Sequence, residues 1–133
     1  RGGGPPLYNL LDPPDRVVRD FYDALNVPDV DRLSECVDPD NPITPNVLQI
    51  LQMLLGTNLN EWISEQLGRK IELAWRFQNL TFETVERTWD SAKVHVTGQV
   101  RVWDKETNVG LTIPFDWTHN VVKKNGRWYM KPY

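Results

Sequence analysis

Apolar and polar positions alternate with two different periods along this chain, and the change falls at Gly68. Upstream, Val17, Val18, Phe21 and Leu25, flanked by Tyr22 and Ala24, recur at three- and four-residue spacings, while Arg16, Arg19, Asp20 and Asp23 take the other side. That pattern predicts a helix over 15–26, entered by Pro13 and Pro14 and left before Pro28. Asp29 is placed to cap a second helix over 29–37, with Val30, Leu33 and Val37 inward; Pro39, Pro42 and Pro45 then break the period. A third helix over 46–55 carries Val47, Leu48, Ile50, Leu51, Met53, Leu54 and Leu55, more than one apolar face can hold. Asn58 with Glu61 resembles a capping box for a fourth helix, 58–67, ended by Gly68.

Downstream the period is two, the period of a strand. Ile71, Leu73, Trp75 and Phe77 share one phase, but Leu80 and Phe82 carry the next apolar positions, so a strand over about 70–88 has a bulge near Asn79. Val94, Val96, Val100 and Val102 define a strand over 91–103, with Asp104 to Asn108 as the loop after it. Val109, Leu111, Ile113, Phe115, Trp117, His119 and Val121 share one phase of a strand over 109–123, in which Pro114 requires an edge or a bulge. Asn125-Gly126 is a hairpin signal, and 127–133 returns as the last strand. Helices followed by an antiparallel sheet of about four strands is an α+β order.

Composition narrows the class. The chain has 133 residues, enough for one domain without a metal or disulfide, and 40% hydrophobic with 25% charged residues is the balance of a globular protein. A net charge of −3 argues against a nucleic-acid partner, which needs a basic stripe. No apolar run is long enough to span a bilayer. A single cysteine, Cys36, excludes an internal disulfide and any cysteine-based zinc site. The first fourteen residues hold three glycines and four prolines and read as a linker, 1–14, ahead of a domain over 15–133. A removed signal or anchor is one explanation of a start at Arg1, and a truncated piece is the other.

The run FYDALNVPDVDRLSECVDPD, Phe21 to Asp40, resembles the opening helix pair of the nuclear transport factor 2-like superfamily, and NGRWYMKPY, Asn125 to Tyr133, is similar to its final hairpin. The resemblance implies a cone-shaped α+β barrel, with a bent sheet curled around the first helix and a pocket between helices and concave sheet. It also points to bacterial extracytoplasmic or lipoprotein-tethered members. Within that superfamily the pocket serves isomerases, dehydratases and cyclases as well as non-catalytic binding modules. The ketosteroid isomerase pattern does not carry over: its helix-one tyrosine falls on Phe21 rather than Tyr22, and its base aspartate falls near Pro45. Asp38 and Asp40 close by read as turn residues.

Candidate chemistry is sparse. His119 lies on the inward phase, where it could act as general acid or base with Tyr22, or could simply be a satisfied core histidine. Phe21, Tyr22, Trp75, Phe77, Phe115, Trp117, His119 and Trp128 would line a pocket for a small apolar or aromatic ligand; core packing is the plainer reading of the same residues. Arg76, on the polar phase, could reach an acidic ligand or stay solvated. Asp116 is on the opposite strand face from His119, and His95 on an outward phase, so no histidine–carboxylate dyad is readable. Two histidines on different phases leave no metal site, and no cofactor motif is present. Thr97, Gln99, Arg101, Trp103, Thr112 and Asp116 share the convex face, where a tryptophan among polar residues points to a sheet-to-sheet homodimer. A non-catalytic binding or interaction module is the first expectation, a small-molecule isomerase, dehydratase or cyclase the second, and a ligand-free dimerisation domain the third.

Overall fold

The computed structural model describes residues 12–40, 47–55 and 73–131. Within them, three helices, α1 (Pro14–Asn26), α2 (Val30–Cys36) and α3 (Val47–Leu55), precede four strands, β1 (Leu73–Arg87), β2 (Ser91–Asp104), β3 (Gly110–Lys124) and β4 (Arg127–Met130). The strands form one antiparallel sheet in the order β1-β2-β3-β4. The helix expected over 58–67, Ile71, the last two residues and most of the expected linker lie outside the described residues.

Helix α1 forms because its apolar positions make one stripe: Val17, Val18, Phe21, Tyr22, Ala24 and Leu25 are all buried. Pro14 fits the first turn, where its missing N–H has no helical partner to lose. The opposite side is laced by ion pairs four residues apart, Arg16 with Asp12 and Asp20, and Arg19 with Asp15. Asp12 is itself buried, so the packed structure begins before Pro14 and the expected linker is shorter than 1–14 at that end. Asp29 caps α2 by accepting from the Arg32 N–H at 3.1 Å. Val30 is 46% exposed rather than inward: seven residues make two turns, and Leu33 and Cys36 take the buried side.

α1 packs against both edge strands, β1 and β4, as well as β2, so the sheet curls around it. Two register shifts bend β1, between Gln78 and Thr81 and between Thr84 and Glu86. At the first, Asn79 has φ +54° and stands across from Gly98 at φ +155°. A Cβ on Gly98 would meet the Asn79 carbonyl oxygen at 2.7 Å, so the bulge needs a glycine there. Asn125 and Gly126 both have positive φ, the requirement of the two-residue turn joining β3 to β4. Pro114 pairs with Gln99 of β2, and β4 reaches only from Val121 to Lys124; on its other side β3 has no described neighbour at the proline.

The core lies between α1 and the concave sheet face. Val94, Val96, Val100 and Val102 of β2, Ile113, Phe115 and Val121 of β3, and Trp128 of β4 meet Val17, Phe21, Tyr22 and Leu25 there, with Leu51, Leu54 and Leu55 of α3 in the same cluster. Each fully buried side chain of this size contributes roughly 1.5–3 kcal/mol from removal of apolar surface from water.

Candidate functional site

The site starts from a tyrosine on a buried helix face. Tyr22 stands one turn before Asn26 on α1, and His119 reaches it from β3 because it shares a phase with Phe115 and Val121. Their polar atoms, Tyr22 Oη and His119 Nε2, are 2.6 Å apart. Aromatic rings enclose the pair: Tyr22 makes edge contacts with Phe21, Phe77 and Phe115, and Phe82 is tilted against it at 6.1 Å. Burial lowers the His119 pKa to about 4 and pushes that of the Tyr22 hydroxyl well above its usual value. Both groups are therefore neutral at pH 7. The pair shares one hydrogen bond, Tyr22 O–H to Nε2 or Nε2–H to Tyr22 Oη according to the imidazole tautomer. A base titrating near pH 4 accepts protons poorly at neutrality, and a tyrosine held neutral gives none up.

The other residues expected on the concave side divide by burial. Phe21, Phe77, Phe115 and Trp128 are buried in the core, whereas Trp75 and Trp117 are half-buried and packed against it. Trp75 Nε1 donates to the Leu25 carbonyl at 2.9 Å. Trp128 has no exposed surface and its Nε1 has no partner among the described residues, while Arg87 and Lys123 stand 5.7 and 5.8 Å from its ring. Three cavities of roughly 370 to 460 Å³ have walls of described residues, and Tyr22 and His119 line none of them.

Register brings the convex-face residues together. Thr97 pairs with Asp116, Arg101 with Thr112, and Trp103 closes the row opposite Ala74. His95 Nε2 lies 2.6 Å from Asp116 Oδ1, so a histidine–carboxylate pair does exist, across β2 and β3 and on the solvent side. Strand phase alone misses it because both residues face outward and their meeting depends on register. At one end of the sheet Lys124 Nζ binds both oxygens of Asp38, at 2.8 and 3.0 Å, and Asp40 Oδ2 at 2.5 Å. These bonds, the one to Asp38 first, raise the Lys124 pKa. They identify the Asp38-Pro39-Asp40 turn as a clamp between α2 and β3. No group of three or more metal-ligating side chains exists among the described residues. Cys36 is buried, and burial pushes its thiol up to about 11.

Asn26 was not singled out by sequence reasoning. Its Nδ2 donates to the Phe77 carbonyl at 2.9 Å and its Oδ1 accepts from the Phe77 N–H at 2.7 Å, so the side chain imitates a strand on the edge of β1. The available signal was an amide at the last position of α1, the residue type able to give and take one backbone bond.

No family model matches the chain, and no curated protein matches it. Among solved structures it is similar to the association domain of C. elegans CaMKII, with 18% identity, 86% of this chain and 85% of that one covered, and a TM-score of 0.46. It is also similar to a candidate dehydratase of the nuclear transport factor 2-like family from Streptomyces avermitilis, with 14% identity, 89% and 92% coverage, and a TM-score of 0.44.

Proposed function

We propose that this chain is a non-catalytic interaction module of the nuclear transport factor 2-like superfamily that pairs with a second copy through the convex face of its sheet. The observation that carries the reading is Trp103, half-buried beside Arg101 and Gln99 on a face whose opposite side holds the whole described core. An aromatic anchor within a polar rim is the makeup of an interface centre. Its concave counterpart supports the same reading, since Tyr22 and His119 bind each other within a ring of phenylalanines. The residues ahead of Asp12, with three glycines and two prolines, fit a tether, and the resemblance to tethered members implies a place outside the cytoplasm. Sedimentation at micromolar concentration tests the pairing: a dimer that Trp103→Glu converts to monomer is expected, and a monomeric parent protein overturns it.

The 2.6 Å bond between Tyr22 and His119 favours a second reading, an isomerase, dehydratase or cyclase of a small carbonyl compound that opens the aromatic ring to enter. Proton exchange at the carbon next to the carbonyl is the step these reactions share. Its detection by NMR over a panel of ketones, with loss in His119→Gln, would establish the enzyme.

A further inference from the structure

A surface groove of about 420 Å³ lies at the corner where the end of α1 meets the start of β1. Its wall is formed by Val27, Pro28 and the inward-facing Trp75 together with Ala74, Arg76 and Trp103 of the outward face and Lys105 of the following turn. Val27 is 66% exposed, so the wall is open to a ligand rather than filled by the protein itself. Arg76 and Arg101 are direct partners in the β1–β2 register, two like charges on neighbouring strands where such a pair destabilises the sheet. Among the described residues no carboxylate lies within ion-pair distance of Arg76, Arg101 or Lys105. This happens in a chain whose acidic residues outnumber its basic ones by 18 to 15. The Arg101 guanidinium instead rests 5.5 Å from the Trp103 ring, held against the groove wall.

We infer that this groove binds a small amphipathic anion, a flat apolar body carrying a carboxylate. The ring system lies against Trp103 and Ala74 on the outward face at the end of the sheet, and the carboxylate is taken by Arg76, with Arg101 and Lys105 adding charge. A guanidinium fork matches a carboxylate with two parallel hydrogen bonds, and a bound anion between the two arginines turns their repulsion into attraction. The volume falls within the ordinary range for small-molecule sites. The proposed site shares Trp103 and Arg101 with the pairing surface, so the inference concerns the unpaired chain; sedimentation of Trp103→Glu and anion titration of Arg76→Gln test the two readings separately.

Calorimetric titration of the full chain with 2-naphthoate tests it, with 2-naphthamide as the neutral isostere and inorganic phosphate as the anion without a body. Saturable 2-naphthoate binding at millimolar concentration or tighter is expected. The amide in the parent protein, and 2-naphthoate in Arg76→Gln, should each bind at least about tenfold more weakly, the loss of one charged hydrogen bond. Arg76→Gln should sediment as the parent does and melt no lower, because the like-charge pair is gone. Equal binding of acid and amide, equal binding by parent and Arg76→Gln, phosphate bound as tightly as 2-naphthoate, or no saturation at millimolar concentration would each overturn the assignment.

Discussion

The two faces of one sheet each hold a histidine bonded at 2.6 Å, and they put it to opposite uses. On the concave face His119 meets a tyrosine among phenylalanines, where a charge would have little solvent and, among the described residues, no counter-ion. On the convex face His95 meets the carboxylate of Asp116, which is largely open to water. The two histidines differ by one step in strand phase, and that step decides whether the imidazole is a neutral piece of core or a polar surface group. A neutral pair in the core gives its stability by being buried and satisfied; an exposed pair gives little, because water and salt compete for it.

The largest test of this contrast is truncation. His119→Ala should lose about 3 kcal/mol in urea denaturation, combining a cavity with a Tyr22 hydroxyl left without a partner, while His95→Ala should stay within about 0.5 kcal/mol of the parent. Equal losses on the two faces would erase the distinction.

Acid titration sharpens the same contrast. The unfolded chain protonates His119 near pH 6.5, whereas the folded chain resists until about pH 4. In that window the unfolded state binds more protons, so stability is complete above pH 6.5 and falls as the pH drops, by about 1.4 kcal/mol per pH unit from this residue. Denaturation curves measured across the window should show a slope about one proton shallower in His119→Ala. An unchanged slope would mean that His119 is not held neutral.

Two smaller effects follow from the bonds themselves. Tyr22→Phe keeps the ring and deletes the hydroxyl, and should cost about 1–2 kcal/mol by thermal or urea melting. Asp116→Asn should change stability by less than about 0.5 kcal/mol, and added salt should shrink even that.

The strand phase of His119 was readable because its apolar neighbours Phe115 and Val121 repeat every second residue. Its pairing with Tyr22, 97 residues away, could be named only as a candidate, since the packing of α1 into the sheet is what brings the two together. The bulge near Asn79 announced itself when the apolar phase moved to Leu80 and Phe82. The need for Gly98 did not, because it is set by a backbone contact from the neighbouring strand. The inward expectation for Val30 failed for a related reason: in a helix of seven residues the packing partner, not the spacing, chooses the buried side. Strand phase likewise gave the outward placement of Arg76, but the charge opposite it, Arg101, comes from register. Periodicity thus reports which way a side chain points, and register reports what it meets.

Asn26 carries a consequence for solubility. An outermost strand is an invitation to foreign strands, and a protein with such a border risks growing into fibres. By occupying both backbone groups of Phe77, the carboxamide acts as a stopper built into the helix, and it removes one docking point from that border without adding a strand. Folding of the first helix and protection of the sheet from other molecules are, at this residue, a single event.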